Sequence, residues 1–225
     1  MADPTDTRAP VGEAHGPGAL PVLSPRPGDP LLEASAGAVR TRIARMRSAY
    51  PEASTGDLRY MLTQRYLFAA AASGGLTGAA AAAPRLRGAG ALALTAGHVG
   101  SFVGASAAFV LAVAELEGMP VDDVARRRAL VLAALLGRES GTFLSEELRV
   151  TPPTWGRTLL LDLPVTTVAR VNKRLYGRVL RHSITRVGAV TAGRLLPYGV
   201  GAVVGYTGSR ALGRIVVDGV EEAFA

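Results

Sequence analysis

The chain has 225 residues, a formal net charge of +7 and no cysteine. That length bounds it to one domain, or to one domain with a tail. The missing thiols exclude cysteine nucleophiles, disulfides and cysteine-ligated zinc.

Aromatic residues are 5% of the chain and Trp155 is the only tryptophan, so any core must be built from Ala, Leu and Val. A mean hydropathy of +0.24 is high for a soluble protein and low for a polytopic one. Charge is unevenly placed. Residues 149–194 carry nine basic side chains against one acid, Asp162, while residues 1–38 carry two bases and five acids.

Residues 1–30 are rich in Pro and Gly with little apolar periodicity. Such a segment buries too little surface to offset its ordering entropy, so a disordered tail is expected there, with one helical domain over 31–225. The opening Met-Ala-Asp-Pro-Thr-Asp is acidic and lacks the basic and apolar regions of a secretory signal, which places the start of the chain in the cytoplasm as an expectation.

From Leu31 to Tyr50, Val39, Ile43, Met46 and Tyr50 recur at helical spacing, and Pro51 ends the pattern. Ser54 and Asp57 then stand at capping-box spacing before a second helix through Leu58, Met61, Leu62 and Tyr66. That helix enters an Ala/Gly-rich stretch and should stop near Pro84.

Gly88 to Ala114 is a run of 27 residues without a formal charge, long enough to span a bilayer. Only nine of these residues are Leu, Val or Phe, and each favours insertion by only about 0.3–0.6 kcal/mol. The run is a marginal span, and Leu67–Ala83 before it is a poor one. Small residues recur four apart at Gly74 and Gly78, at Gly100 and Gly104, and at Gly201 and Gly205. On a helix this spacing makes a flat groove that lets a second backbone approach closely, in a soluble bundle or in a membrane hairpin.

Glu115 and Glu117 close the apolar run, and a further helix is expected from Met119-Pro120 to Gly137. Its Asp122 and Asp123 suit the first turn, and Arg126–Arg128 read as solvated partners of those acids. Pro152-Pro153 and Pro164 bound a linker with short elements. Val165 to His182 then reads as an amphipathic basic helix, with Arg170, Lys173, Arg174, Arg178 and Arg181 set among Val168, Val171, Leu175, Val179 and Leu180. Such a helix suits an anionic membrane surface, an ordinary solvated face or nucleic-acid phosphate. A last helix is expected from Pro197 toward Phe224.

Chemical motifs are sparse. His98 is the one titratable group in the long apolar run, and no Asp, Glu or second His stands four residues away to complete a site. It reads as a core histidine or as a pocket residue. Glu115 and Glu117, like Glu146 and Glu147, sit too close in sequence to share a helix face. No phosphate-loop pattern occurs, and the basic segment has only Tyr176 and Trp155 for base stacking, which ranks nucleic acid low among partners. No catalytic residue, cofactor or metal site is expected.

Three segments resemble the EcsC family: Ala112-Val-Ala-Glu-Leu-Glu-Gly118 with Asp122 and Arg127 to Gly137; Val171-Asn172-Lys173; and Leu196-Pro-Tyr-Gly-Val-Gly-Ala-Val-Val-Gly205 with Arg210, Gly213, Arg214 and Phe224. The likeness covers roughly residues 40–225. Where members of that family often carry asparagine after the glycine block, this chain has Gly208-Ser209. The resemblance implies an all-helical bacterial protein in a membrane setting, with a membrane-protein partner such as a transporter, and it supplies no catalytic residues.

Together these readings predict an all-α bundle packed through Ala/Gly faces and held at the cytoplasmic side of the cell membrane. Arg170, Lys173, Arg174, Arg178 and Arg181 would contact anionic lipid, and a hairpin within residues 67–114 or the stretch 187–206 could insert. The alternative is a soluble helical enzyme or small-ligand-binding protein with an apolar pocket near His98.

Overall fold

The computed structural model describes residues 35–81, 89–119, 121–148, 155–194 and 200–225. The described residues are helical, with no strand among them. The helices are α1 (Ser35–Ala49), α2 (Thr55–Ala81), α3 (Ala89–Leu116), α4 (Val124–Leu136), α5 (Glu139–Leu148), α6 (Trp155–Arg157), α7 (Val165–Arg194) and α8 (Val200–Ala223). A π-helical turn, Thr158–Asp162, follows α6. The tail expected at residues 1–30 lies outside the described residues.

Local signals set most boundaries. Ser54 and Asp57 form a capping box at the start of α2: the Asp57 N–H donates to Ser54 Oγ (3.1 Å) and the Ser54 N–H to Asp57 Oδ2 (3.0 Å). The Ser54 hydroxyl also donates to Asp57 Oδ2 (2.7 Å), and this bond, with that from the Ser54 N–H, holds the Asp57 pKa below its ordinary value. Asp123 accepts from the Arg126 N–H and caps α4, so that helix begins at Val124 rather than at Met119. Gly137, at φ +68°, ends it. The basic helix continues past His182 to Arg194, because no proline interrupts it before Pro197. The small-residue stretch 187–206 is therefore divided between the end of α7 and the start of α8.

In α1, Val39, Ile43 and Met46 are buried, whereas Tyr50 is exposed. Arg47 donates to the carbonyl of Leu116 (3.1 Å), tying α1 to the C-terminal end of α3. The core gathers Leu and Val side chains around Trp155, Leu111, Leu130, Leu159 and Leu175. Arg127 and Arg128 are buried, not solvated as their spacing suggested. Arg126 reaches from α4 to the carbonyls of Leu159 (3.1 Å) and Leu163 (2.7 Å), fixing the π-helical turn. Asn172, fully buried on α7, donates to the carbonyl of Ala125 (2.8 Å) and sets the register of α7 on α4.

The most extensive contact joins α2 to α8. A Cβ at Gly74 would run into Ser209 and the carbonyl of Gly205, and one at Gly78 into the carbonyl of Gly201. Here the small residues of two helices meet backbone to backbone. Further along, α8 approaches α4 in the same manner, where a Cβ at Gly219 would lie 2.6 Å from the carbonyl oxygen of Ala134. Gly100 and Gly104 differ: a Cβ at either meets nothing within 4 Å among the described residues.

Two predictions follow from this packing. Leucine at Gly74 or Gly78 must displace backbone, costing about 3 kcal/mol or more. Alanine at Gly100 or Gly104 has room and should stabilise the helix by about 0.5–1 kcal/mol. Denaturant unfolding followed by circular dichroism should separate the two pairs; equal effects would contradict the packing. Glu222 packs against Gly141, and burial raises its pKa, opposed by the Gly141 N–H and by Arg138. The unfolded carboxyl ionises first, so stability falls as pH rises from the ordinary glutamate range through the raised folded value. Glu222→Gln should raise the melting temperature near neutral pH and change it little in acid.

Candidate functional site: a cationic groove beside an exposed apolar strip

Helical spacing assigns three sides to α7. Val168, Val171, Asn172 and Leu175 are buried against the core. Arg170, Lys173, Arg174 and Arg181 are exposed and Arg178 is half-buried. Val165, Tyr176 and Leu180 form a third strip, 50%, 37% and 50% exposed, beside the cations.

All five expected cations line one groove of about 530 Å³, together with Phe143 of α5 and Gly177. Spacings of three and four residues along α7 make this inevitable once its buried face is fixed. Two of the five also have structural duties. Arg174 pairs with Glu147, whose side chain is 8% exposed. Arg178 lies over the Phe143 ring, 5.1 Å from its centroid, a cation–π contact worth about 0.5–1 kcal/mol. Both tie α7 to α5. Arg170, Lys173 and Arg181 make no ion pair among the described residues. The groove therefore concentrates positive potential with one compensating carboxylate at its edge. It offers donors for phosphate oxygens.

His98 lies elsewhere, buried where α2, α3 and α8 meet. Ser73 Oγ and Thr77 Oγ1 stand 3.1 and 3.3 Å from Nδ1, and Ser209 Oγ stands 3.3 Å from Nε2. Hydroxyls from α2 and α8 thus serve both ring nitrogens, which pins α3 between them. Among the described residues no group of three His, Asp or Glu side chains could hold a metal ion. The small-residue positions Gly74, Gly78, Gly201 and Gly205 gather at the α2–α8 contact, whereas Gly100 and Gly104 lie apart from it.

Sequence reasoning missed Glu147 and Phe143 as neighbours of the groove. Both sit on α5, a ten-residue helix that no pattern marked. Arg174→Glu should lower stability more than Arg170→Glu or Arg181→Glu, by about 1 kcal/mol, because it places a second acid against Glu147. Thermal unfolding of the three variants checks this, and equal shifts would contradict a structural part for Arg174.

Comparison with known proteins finds no matching family model, no matching curated protein and no matching solved structure.

Proposed function

We propose that the protein is a peripheral membrane protein that docks on an anionic bilayer face through α7 and acts as a structural or regulatory accessory there. One observation carries this reading: the cationic groove of α7 is flanked by Val165, Tyr176 and Leu180, an apolar strip that the fold leaves exposed. Cations alone suit any polyanion. Cations beside exposed apolar side chains suit an interface, where apolar groups enter the acyl boundary while the charges meet phosphate. Each cation near such a surface contributes about 1 kcal/mol.

The packing favours docking over insertion. Among the described residues one stretch, Gly97–Leu116, is long and apolar enough to cross a membrane, and half of it is buried inside the protein. Inserting a hairpin within 67–114 would separate Gly74 and Gly78 from α8 and uncover the hydroxyls around His98. The resemblance to the EcsC family supports the same membrane setting, with a membrane protein as neighbour. Ser209, where that family often has asparagine, is fully buried against Gly74, a place with room for a small side chain. An apolar ligand pocket at His98 has less support, because the ring is 7% exposed and already bonded at both nitrogens.

The test is sedimentation of the full chain with vesicles of phosphatidylcholine containing phosphatidylglycerol. Binding should weaken steeply with salt, since exposed charges are screened within about 10 Å at 0.1 M. Arg170→Glu, Lys173→Glu and Arg181→Glu together should lower the affinity at least tenfold, at about 1 kcal/mol per charge. Arg174 and Arg178 are left in place because they hold α5. Binding that ignores salt, or survives the triple substitution, would overturn the reading.

A further inference from the structure

A second surface, formed by α2 and α8 away from the α7 groove, grades in a fixed order. Leu76 and Phe68 on α2 and Val203 and Tyr206 on α8 are exposed, at 74%, 65%, 63% and 38%. Gly75 lies 3.4 Å, by its Cβ direction, from Tyr206 Cβ, and Phe68, seven residues before it, falls on the same side of α2, whereas Leu76 points about 100° away from Gly75. One turn further along α8 come Arg210 and Arg214, facing Tyr60, Thr63 and Gln64 of α2 across a cleft of about 680 Å³. Asp218 follows one turn beyond Arg214 and Glu221 about one turn further, and both line the same cleft. Positions 203, 206, 210, 214, 218 and 221 recur at three or four, so they occupy one face of α8.

The other charges nearby are engaged. Arg59 pairs with Glu117 (3.5 Å), and Arg138 reaches Asp218 (3.2 Å) and orients it. Arg210, Arg214 and Glu221 make no hydrogen bond or ion pair among the described residues. The surface thus reads apolar, then cationic, then anionic, at intervals of about 6 Å for each four-residue step. The cleft volume lies in the ordinary range for small-ligand sites, roughly 300–1,000 Å³.

We infer that this face binds one glycerophospholipid with a phosphoethanolamine headgroup. The acyl chains lie along Val203 and Tyr206 and reach Phe68 beside the arginine pair. The phosphate sits between Arg210 and Arg214, where guanidinium groups make charge-assisted bonds to its oxygens. The primary ammonium donates to Glu221 and Asp218. An anionic glycerol headgroup would meet those carboxylates with no cation to offer, and a choline headgroup has no N–H to donate. Selectivity therefore comes from the acid pair and affinity from the arginine pair. The surface is distinct from the groove proposed to meet the anionic bilayer, so each can fail without the other.

The test is calorimetric titration of the full chain with dihexanoyl phosphatidylethanolamine, below its micelle-forming concentration, against the phosphatidylglycerol and phosphatidylcholine analogues. The ethanolamine lipid should bind about tenfold more tightly than either, the worth of one charge-assisted bond. Arg210→Gln with Arg214→Gln should lower its affinity at least tenfold, while the Lys pair at the same positions retains most of it. Glu221→Gln should erase the preference over phosphatidylglycerol. Helicity by circular dichroism and salt-sensitive binding to phosphatidylglycerol vesicles should be unchanged in these variants, which separates this cleft from α7. Absent binding, equal affinity for the three headgroups, or indifference to the arginine pair would each overturn the proposal.

Discussion

The structure depends on one close approach: the backbones of α2 and α8 touch at Gly74 and Gly78 against Gly201, Gly205 and Ser209. Without side chains between them, dispersion contacts and backbone dipoles act at their shortest range. The approach aligns α2 on α8 and draws Ser73, Thr77 and Ser209 around His98. It also brings Arg210 and Arg214 opposite Tyr60 and Gln64. Nearer its C-terminal end α8 uses Gly219 to reach α4 at Ala134. One helix thus organises two halves of the molecule, and α7 is seated on the α4–α8 half through Asn172.

Much of this was legible in the residues. Pro51, the Ser54–Asp57 box and Gly137 mark helix ends by mechanisms that act within a few residues, so sequence shows them directly. The cationic face of α7 was legible because spacing alone puts Arg170, Lys173, Arg174, Arg178 and Arg181 on one side. The partnered glycines were only half legible. Four-residue spacing identifies a flat face, and which flat face meets another helix depends on the rotation of each helix in the bundle. Gly74 and Gly78 found a partner backbone in α8, and Gly100 and Gly104 face open space among the described residues.

The arginines of α4 show why other parts stayed hidden. Spacing rules weigh a charge against its own helix, so Arg126 to Arg128 looked like solvated partners of Asp122 and Asp123. In the fold Arg126 serves the carbonyls of Leu159 and Leu163, a role set by residues more than thirty positions away. Glu147 and Phe143 entered the groove by the same route. Neither has a local signature, because both act across an interface that exists only once α5 has docked.

Among the described residues, two surfaces set exposed apolar side chains beside cations. On α7 the two run side by side, the arrangement of a helix lying flat on charged lipid. On α2 and α8 they follow one another, the arrangement of a single lipid lying along the protein. The proposed function, a folded body touching the bilayer by its surfaces, accounts for both without unpacking the glycine contact. Fractionation of cells expressing the full chain tests this most directly, with membranes washed first in high salt and then in alkaline carbonate. The account predicts membrane association that high salt releases. Protein that stays with the membranes through both washes, or that never associates with them, would contradict it.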